Sequence, residues 1–268
     1  MNIAGWLPDD PDLRDYSQRH ENVAPMLRLT AAIGTDPLPL IVDLREGFSP
    51  VEQQGAIGSC TANAAAGVIE FMQRRARAKY IDMSRRFLYK MTRQRMGFMG
   101  DTGASLRETL KTLVDVGAPP ESLWPYDIRH YDDEIPGEVL SHAFPRRVLT
   151  YYTLDPLGQG TDQTLDELRR AVAAGIPVMF GFTVHSNWDQ RSAVIPMPSS
   201  RDRHVGGHAV VAAGYDDTRD LLLFRNSWGA EWGEGGYGWM PFAYLVHGWA
   251  QDFWAVLTQA WVETGAFA

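Results

Sequence analysis

The sequence is poor in several features that would point to particular functions. Its 268 residues include one cysteine, Cys60, so no disulfide can form within the chain and no cysteine-rich metal site can be built. The fold is expected to be held by packing alone. Positive charge is in deficit: 25 Lys and Arg against 33 Asp and Glu give a formal net charge of −8, with a pI near 5.4. That balance provides no basic face for a phosphate backbone and argues against a nucleic-acid partner. Long apolar runs are missing too. Stretches such as Ile176 to Val184 fall far short of the roughly 20 residues of a membrane-spanning helix, so no membrane partner is expected. Met1 to Leu13 carries Asp9, Asp10 and Asp12 and lacks the basic start and apolar run of a secretory signal. The expectation is a cytoplasmic location, with export by a route without a cleaved signal left open. No H-E-x-x-H, P-loop or cysteine pair occurs, and so no metal or other cofactor is implied. Gly233 to Gly238 satisfies G-x-G-x-x-G in its letters, yet it leads into Trp239-Met240-Pro241 and not into a long helix, so a dinucleotide site is not supported.

What is present suffices for a sizeable core: 45% of the residues are hydrophobic, enough for one large domain or two modest ones packed together. The first forty residues are rich in Asp, Pro and Arg and lack periodicity, which predicts an extended arm with little tendency to form a helix. Helical spacing of Ala64, Ala65, Val68, Phe71 and Met72 predicts a helix from Cys60 to about Lys79. Further helices are predicted over Ser84 to Met96, over Thr102 to Val116 with Asp101 or Thr102 as cap, and over Asp162 to Ala174. Short apolar runs then follow at Ile176 to Val184, His208 to Tyr215, Leu221 to Phe224 and Phe253 to Gln259, with Asp216-Asp217 as the clearest hairpin signal. A helical half followed by a strand-rich half predicts an α+β protein of two lobes with a cleft between them, divided as an arm over 1–40, a helical lobe over 41–150 and a β-rich lobe over 151–268.

A lone cysteine is most often a small buried hydrophobe. Cys60 differs in its position, because it follows the flexible loop Gly55-Ala56-Ile57-Gly58-Ser59 and opens a long helix, whose N-terminal dipole favours a thiolate. Of seven histidines, most stand in polar loops. His208 follows Gly206-Gly207 and begins the apolar run Ala209 to Ala213, at the mouth of a buried strand. Asn226 lies one hairpin further on, where antiparallel pairing can bring it beside His208, and an amide there can hold one imidazole tautomer and aim the other nitrogen at a nucleophile. His208 follows Cys60 by 148 positions and Asn226 by 166. The first lies inside, and the second somewhat beyond, the spacing of about 130–150 known for one class of enzymes with a cysteine nucleophile.

At this point a resemblance becomes specific. Gln54-Gly55-Ala56-Ile57-Gly58-Ser59-Cys60, Gly207-His208-Ala209-Val210 and Arg225-Asn226-Ser227-Trp228-Gly229 resemble, in order, three blocks of the papain-like cysteine peptidase family. Val42-Asp43-Leu44-Arg45 resembles the start of the mature family domain, and Gly233-Gly236-Tyr237-Gly238 its Gly-Tyr-Gly turn. The likeness covers about residues 41–260 and implies a two-lobed fold with a helical N-terminal lobe, an antiparallel, β-barrel-like C-terminal lobe and the active site in the cleft. It further implies Cys60 as nucleophile, His208 as general base and then acid, Asn226 as the group orienting His208, and Gln54 with the Cys60 N–H as oxyanion donors. Trp228 matches the tryptophan that shields the Asn–His hydrogen bond, and Gly103 roughly matches the glycine strip that binds substrate backbone. Two positions depart from the family pattern: Thr61 replaces the usual Trp or Tyr, and Ile57 replaces a common disulfide cysteine. Gly5-Trp6-Leu7-Pro8-Asp9 and Pro11-Asp12-Leu13-Arg14-Asp15 resemble the N-terminal stretch of compact bacterial members. The expected activity is hydrolysis of polypeptide substrates through a thioester acyl-enzyme, with the arm covering the cleft as an intramolecular inhibitor. A non-catalytic peptide-binding module and a related acyl-transferase are the competing readings.

Overall fold

A computed structural model describes residues 5–28, 37–143 and 150–258. The helices lie mostly in the first half of the chain: α1 (Ala24–Arg28), α2 (Cys60–Arg77), α3 (Arg85–Arg95), α4 (Leu106–Asp115), α5 (Gly137–Ser141), α6 (Thr161–Ala173) and α7 (Phe242–Val246). The strands are β1 (Ile41–Asp43), β2 (Thr150–Thr153), β3 (Val178–His185), β4 (His204–Asp216), β5 (Leu221–Arg225), β6 (Tyr237–Pro241) and β7 (Ala250–Leu257). The architecture is α+β. The strands form a seven-stranded sheet in the order β2-β7-β3-β4-β5-β6, with β1 attached to β4, and its neighbours are all antiparallel. The expected barrel-like closure is not found among the described residues. The ends of the path, β2 and β6, do not pair with each other, and the sheet is open.

Most element boundaries follow the sequence pattern, and the exceptions have physical causes. The third predicted helix starts at Leu106, where Ser105 Oγ accepts from the Glu108 N–H, and not at Asp101 or Thr102. Residues 101–104 are engaged elsewhere: Asp101 Oδ1 accepts from the Gly58 N–H and from the Tyr89 hydroxyl, Gly103 has φ of +75°, and Ala104 bridges to Trp6. Among its described residues the arm carries one short helix, α1, that its prolines did not suggest. The strand read as Phe253 to Gln259 starts earlier, at Ala250, and Gln259 lies outside the described residues. The G-x-G-x-x-G stretch is a turn feeding β6.

α2 is the central helix, buried from Cys60 to Met72. Its small residues let the helix approach the sheet closely. A Cβ placed on Gly67 would stand 3.1 Å from Arg225 Nε. Arg225, at the end of β5, joins the two halves of the chain: its Nη1 donates to the Ser49 carbonyl and its Nη2 to the Pro50 carbonyl, both at 2.7 Å. Its guanidinium also lies over the Phe48 ring. Ser49 Oγ in turn donates to Glu70 of α2 at 2.6 Å, and Glu70 accepts from the Met83 N–H at 2.9 Å. Burial raises the Glu70 carboxyl to about 7. Truncating a buried charge in such a network leaves its acceptors unpaired. Arg225→Met is expected to lower stability by about 2–4 kcal/mol, read as a fall in the urea midpoint at unchanged slope.

Candidate active site

Cys60 is the first residue of α2 and has no exposed surface. No side chain caps the helix start, and the backbone N–H groups of Cys60 and Thr61, with that of Ala209 from β4, favour the thiolate form of the sulfur. Burial outweighs them and pushes the thiol up to about 12. His208 is equally buried. Desolvation of the imidazolium brings its pKa down to about 4, so thiol and imidazole rest in their neutral forms.

The tautomer of His208 follows from its neighbours. The Ser227 N–H donates to Asn226 Oδ1 at 2.8 Å, which orients the amide. The same oxygen lies 2.8 Å from His208 Nε2, so Nε2 carries the proton and Nδ1 keeps its lone pair. Nδ1 is buried and has no hydrogen-bond partner. The Trp228 ring stacks on the imidazole at 4.8 Å and 26°, and Trp188 stacks in turn on Trp228. This aromatic cover excludes water from the Asn226–His208 bond, which strengthens it.

Gln54 is held from the same block. Its N–H donates to the Ser227 carbonyl at 2.8 Å, and its Oε1 accepts from Ser227 Oγ at 2.6 Å. Its Nε2 donates to the Ile57 carbonyl at 3.0 Å, which uses one of the two amide hydrogens and leaves the other available. Ser227 thus fixes both the Asn226 amide and the Gln54 amide. The Asn-Ser-Trp-Gly pattern contained this residue, but its positioning role is visible only in three dimensions. The departures from the family pattern are both buried, Thr61 with Oγ1 unpartnered. Gly103 lies against the nucleophile loop, its Cα 3.3 Å from where a Cβ on Gly58 would be. The neighbouring Ala104 provides the backbone groups that pair.

Those groups are occupied by the N-terminal arm. The Ala104 N–H donates to the Gly5 carbonyl at 3.0 Å, the Leu7 N–H to the Ala104 carbonyl at 3.0 Å, and the Trp6 N–H to the Gly207 carbonyl at 3.1 Å. Gly5 is seated on Cys60: a Cβ there would be 2.8 Å from Cys60 Sγ and 2.8 Å from the Gly58 carbonyl oxygen. Trp6 is buried, and its Nε1 donates to Asp252 Oδ2 at 3.1 Å. The Asp9 N–H donates to the same oxygen at 2.9 Å. Gly5, Trp6, Ala104 and Asp252 had no chemical role in the sequence reading, because Asp252 is one acidic residue among 33 and nothing local marks it. Where the arm leaves the groove, a cavity of about 440 Å³ is lined by Asp9, Asp15, Arg107, Asp155, Asp252 and Trp254, among others, and does not reach Cys60 or His208. Among the described residues no group of three or more His, Cys, Asp or Glu could hold a metal ion.

This fold and site define a cysteine peptidase, a hydrolase. The model of the papain family of cysteine proteases matches residues 38–245, and the chain belongs to that family. It is 31% identical over 267 residues to an uncharacterized peptidase C1-like protein of Acanthamoeba polyphaga mimivirus, covering 94% of this chain and 86% of that protein. To rat cathepsin S it is 30% identical over 206 residues, 75% of this chain, and it spans 59% of that relative's length. Among solved structures, xylellain, a cysteine protease from Xylella fastidiosa, superposes with a TM-score of 0.79 at 34% identity over 96% of each chain.

The acidic group under the arm gives a test. Burial, then the neighbouring Asp9 charge, lifts Asp252 to about 8; Asp9 and Asp155 are also raised by burial. The folded state therefore holds protons that the unfolded chain releases at about pH 4. Stability contributed by protonated Asp252 is full below that value and is lost as the pH rises to and through about 8. The Asp252 contribution should make the melting temperature fall between about pH 4 and about pH 8, and the fall should be smaller in Asp252→Asn, as followed by calorimetry.

Proposed function

We propose that the protein is a latent endopeptidase that hydrolyses peptide bonds through a thioester acyl-enzyme and is restrained by its own N-terminal arm. The observation that carries the restraint is the seat of Gly5 on Cys60, where even a methyl group would collide with the sulfur. With the arm displaced, water and substrate reach the pair, and the cost of charging it falls. The Cys60 proton then passes to His208 Nδ1 as Sγ attacks the scissile carbonyl carbon. The free Gln54 amide hydrogen and the Cys60 N–H bind the oxyanion. Collapse of the tetrahedral species expels the amine, protonated by His208, and leaves the thioester. Water, deprotonated by His208, attacks the thioester; the acid leaves and the thiol is restored.

The arm is covalently attached, so its effective concentration at the cleft reaches the mM range and modest contacts keep it seated. Gly5→Ala introduces the clash while leaving the catalytic side chains themselves unsubstituted. It should raise kcat/KM on small peptides mainly through KM, and it should speed alkylation of Cys60 at neutral pH. In the intact chain alkylation should become fast only in the alkaline range, in line with a thiol raised to about 12. A Gly5→Ala enzyme that melted earlier and cleaved less would show that the arm braces the fold and does not restrain the site. In the released background Gln54→Ala should lower kcat by roughly 10²-fold. Asn226→Ala should be milder than His208→Ala, because it loosens the base without removing it. All cleavage should vanish in Cys60→Ala, as read by mass spectrometry of a peptide-library digest.

A further inference from the structure

The pocket that receives Trp6 is built in a way that the catalytic groups do not require. Two of its walls are backbone. A Cβ on Gly181 of β3 would stand 1.9–2.3 Å from indole ring atoms, and one on Gly207 of β4 would stand 2.7 Å from Trp6 Cε3. Any side chain at either position would fill the slot. At its end stands Asp252, aimed by a local irregularity. β7 pairs with β3 through Met179 opposite Trp254 and Gly181 opposite Gln251. Three steps along β7 therefore face two along β3, the signature of a bulge. Asp252 takes up the extra residue in the left-handed region, at φ +58°. The Asp155 carboxylate holds the bulge in place by accepting from the Asp252 and Phe253 N–H groups at 2.8 and 2.9 Å. This arrangement turns the Asp252 side chain toward the indole N–H.

We infer that this pocket is where the enzyme reads the side chain next to the residue at the thiol, and that Asp252 selects a large planar side chain carrying an N–H donor, tryptophan before phenylalanine, in peptide substrates. The inference rests on the peptidase reading and adds the substrate class. It does not depend on which way the substrate chain runs, because the pocket adjoins the backbone groups of Ala104 and Gly207 that hold Trp6. Phenylalanine fits the slot but removes the indole donor, leaving the buried Asp252 Oδ2 with the Asp9 N–H alone. A hydrogen bond to such a group corresponds to roughly 10- to 100-fold in binding.

The test uses the full chain with Cys60→Ala and Trp6→Ala, which empties the pocket and prevents turnover. Calorimetric titration with the peptide Gly-Trp-Leu-Pro-Asp, the sequence of residues 5–9, is compared with Gly-Phe-Leu-Pro-Asp. The tryptophan peptide should bind at least about 10-fold more tightly. The ratio should approach one in the further variant Asp252→Gly, which removes the carboxylate and tolerates the left-handed backbone without strain. In a library digest with Trp6→Ala alone, cleaved peptides should carry tryptophan beside the scissile residue more often than phenylalanine. Equal affinities for the two peptides with Asp252 present would overturn the assignment, whether or not the library is cut. A tryptophan preference in binding with no cleavage anywhere would support the pocket and remove the peptidase reading.

Discussion

Cys60 and His208, which the mechanism we propose charges oppositely, lie where water does not reach them. Burial raises the Cys60 thiol and lowers the His208 imidazole, so the neutral pair is favoured from both sides. The three N–H groups that face the sulfur would favour a thiolate at a hydrated helix start, but they do not offset desolvation when the groove is filled. The surrounding structure is organised around this balance. Asn226, Trp228 and Ser227 hold the imidazole and the Gln54 amide in place through contacts that the arm does not make. In the restraint we propose, the arm decides whether solvent is present. On that proposal the charge state of the site is set by occupancy of the groove, and its geometry by the β5–β6 connection.

The close approach of three backbone segments makes that occupancy feasible. Gly5 of the arm, Gly58 of the nucleophile loop and Gly103 before α4 converge: a Cβ on Gly58 would lie 3.1 Å from the Gly5 Cα and 3.3 Å from the Gly103 Cα. A side chain on Gly58 would press on both neighbouring backbones and require them to give by a few tenths of an ångström, against the hydrogen bonds that join Gly5 and Leu7 to Ala104. The same need for proximity displaces the start of α4 to Leu106, since the residues before it are shaped by the groove and not by helix propensity.

Much of the fold was legible because periodicity reports burial directly. The apolar face of α2 and the runs that became β3, β4 and β5 follow from spacing alone. β2 and β6 were not read, because Thr150–Thr153 and Tyr237–Pro241 are short and gain strand character only from their neighbours. Openness of the sheet is a matter of strand tilt and register, which composition does not encode. In the site, Cys60, His208, Asn226, Gln54 and Trp228 stood in contiguous blocks with recognisable neighbours, so each could be named by number. Asp252 could not. Its placement depends on a bulge in β7 and on Asp155, almost a hundred residues earlier in the chain, and no local pattern signals a pairing irregularity. Trp6 was visible as part of an arm, but its pocket is made of two glycines that read in sequence only as weak points in strands.

If the arm restrains the site and the pocket reads the substrate, as we propose, both meet the same physical demands there, and this ties selectivity to release. Burying an aromatic side chain removes about 150–250 Å² from water, worth up to roughly 4–6 kcal/mol at about 25 cal/mol per Å². Trp6 therefore supplies a large part of the arm's hold, and Asp252 adds direction to it. A peptide with a small side chain at the matching position gains little from the pocket and competes poorly with a tethered arm at mM effective concentration. A peptide that fills the slot and satisfies Asp252 competes on equal terms at each contact. On the proposed restraint, Trp6 thus sets the standard a substrate must match. Arg107, which bonds the Asp10 carbonyl and the Asp15 carboxylate, anchors the arm further along. On the proposed restraint, displacing Trp6 would free the groove at Cys60 while the Arg107 contacts keep the arm attached beyond it.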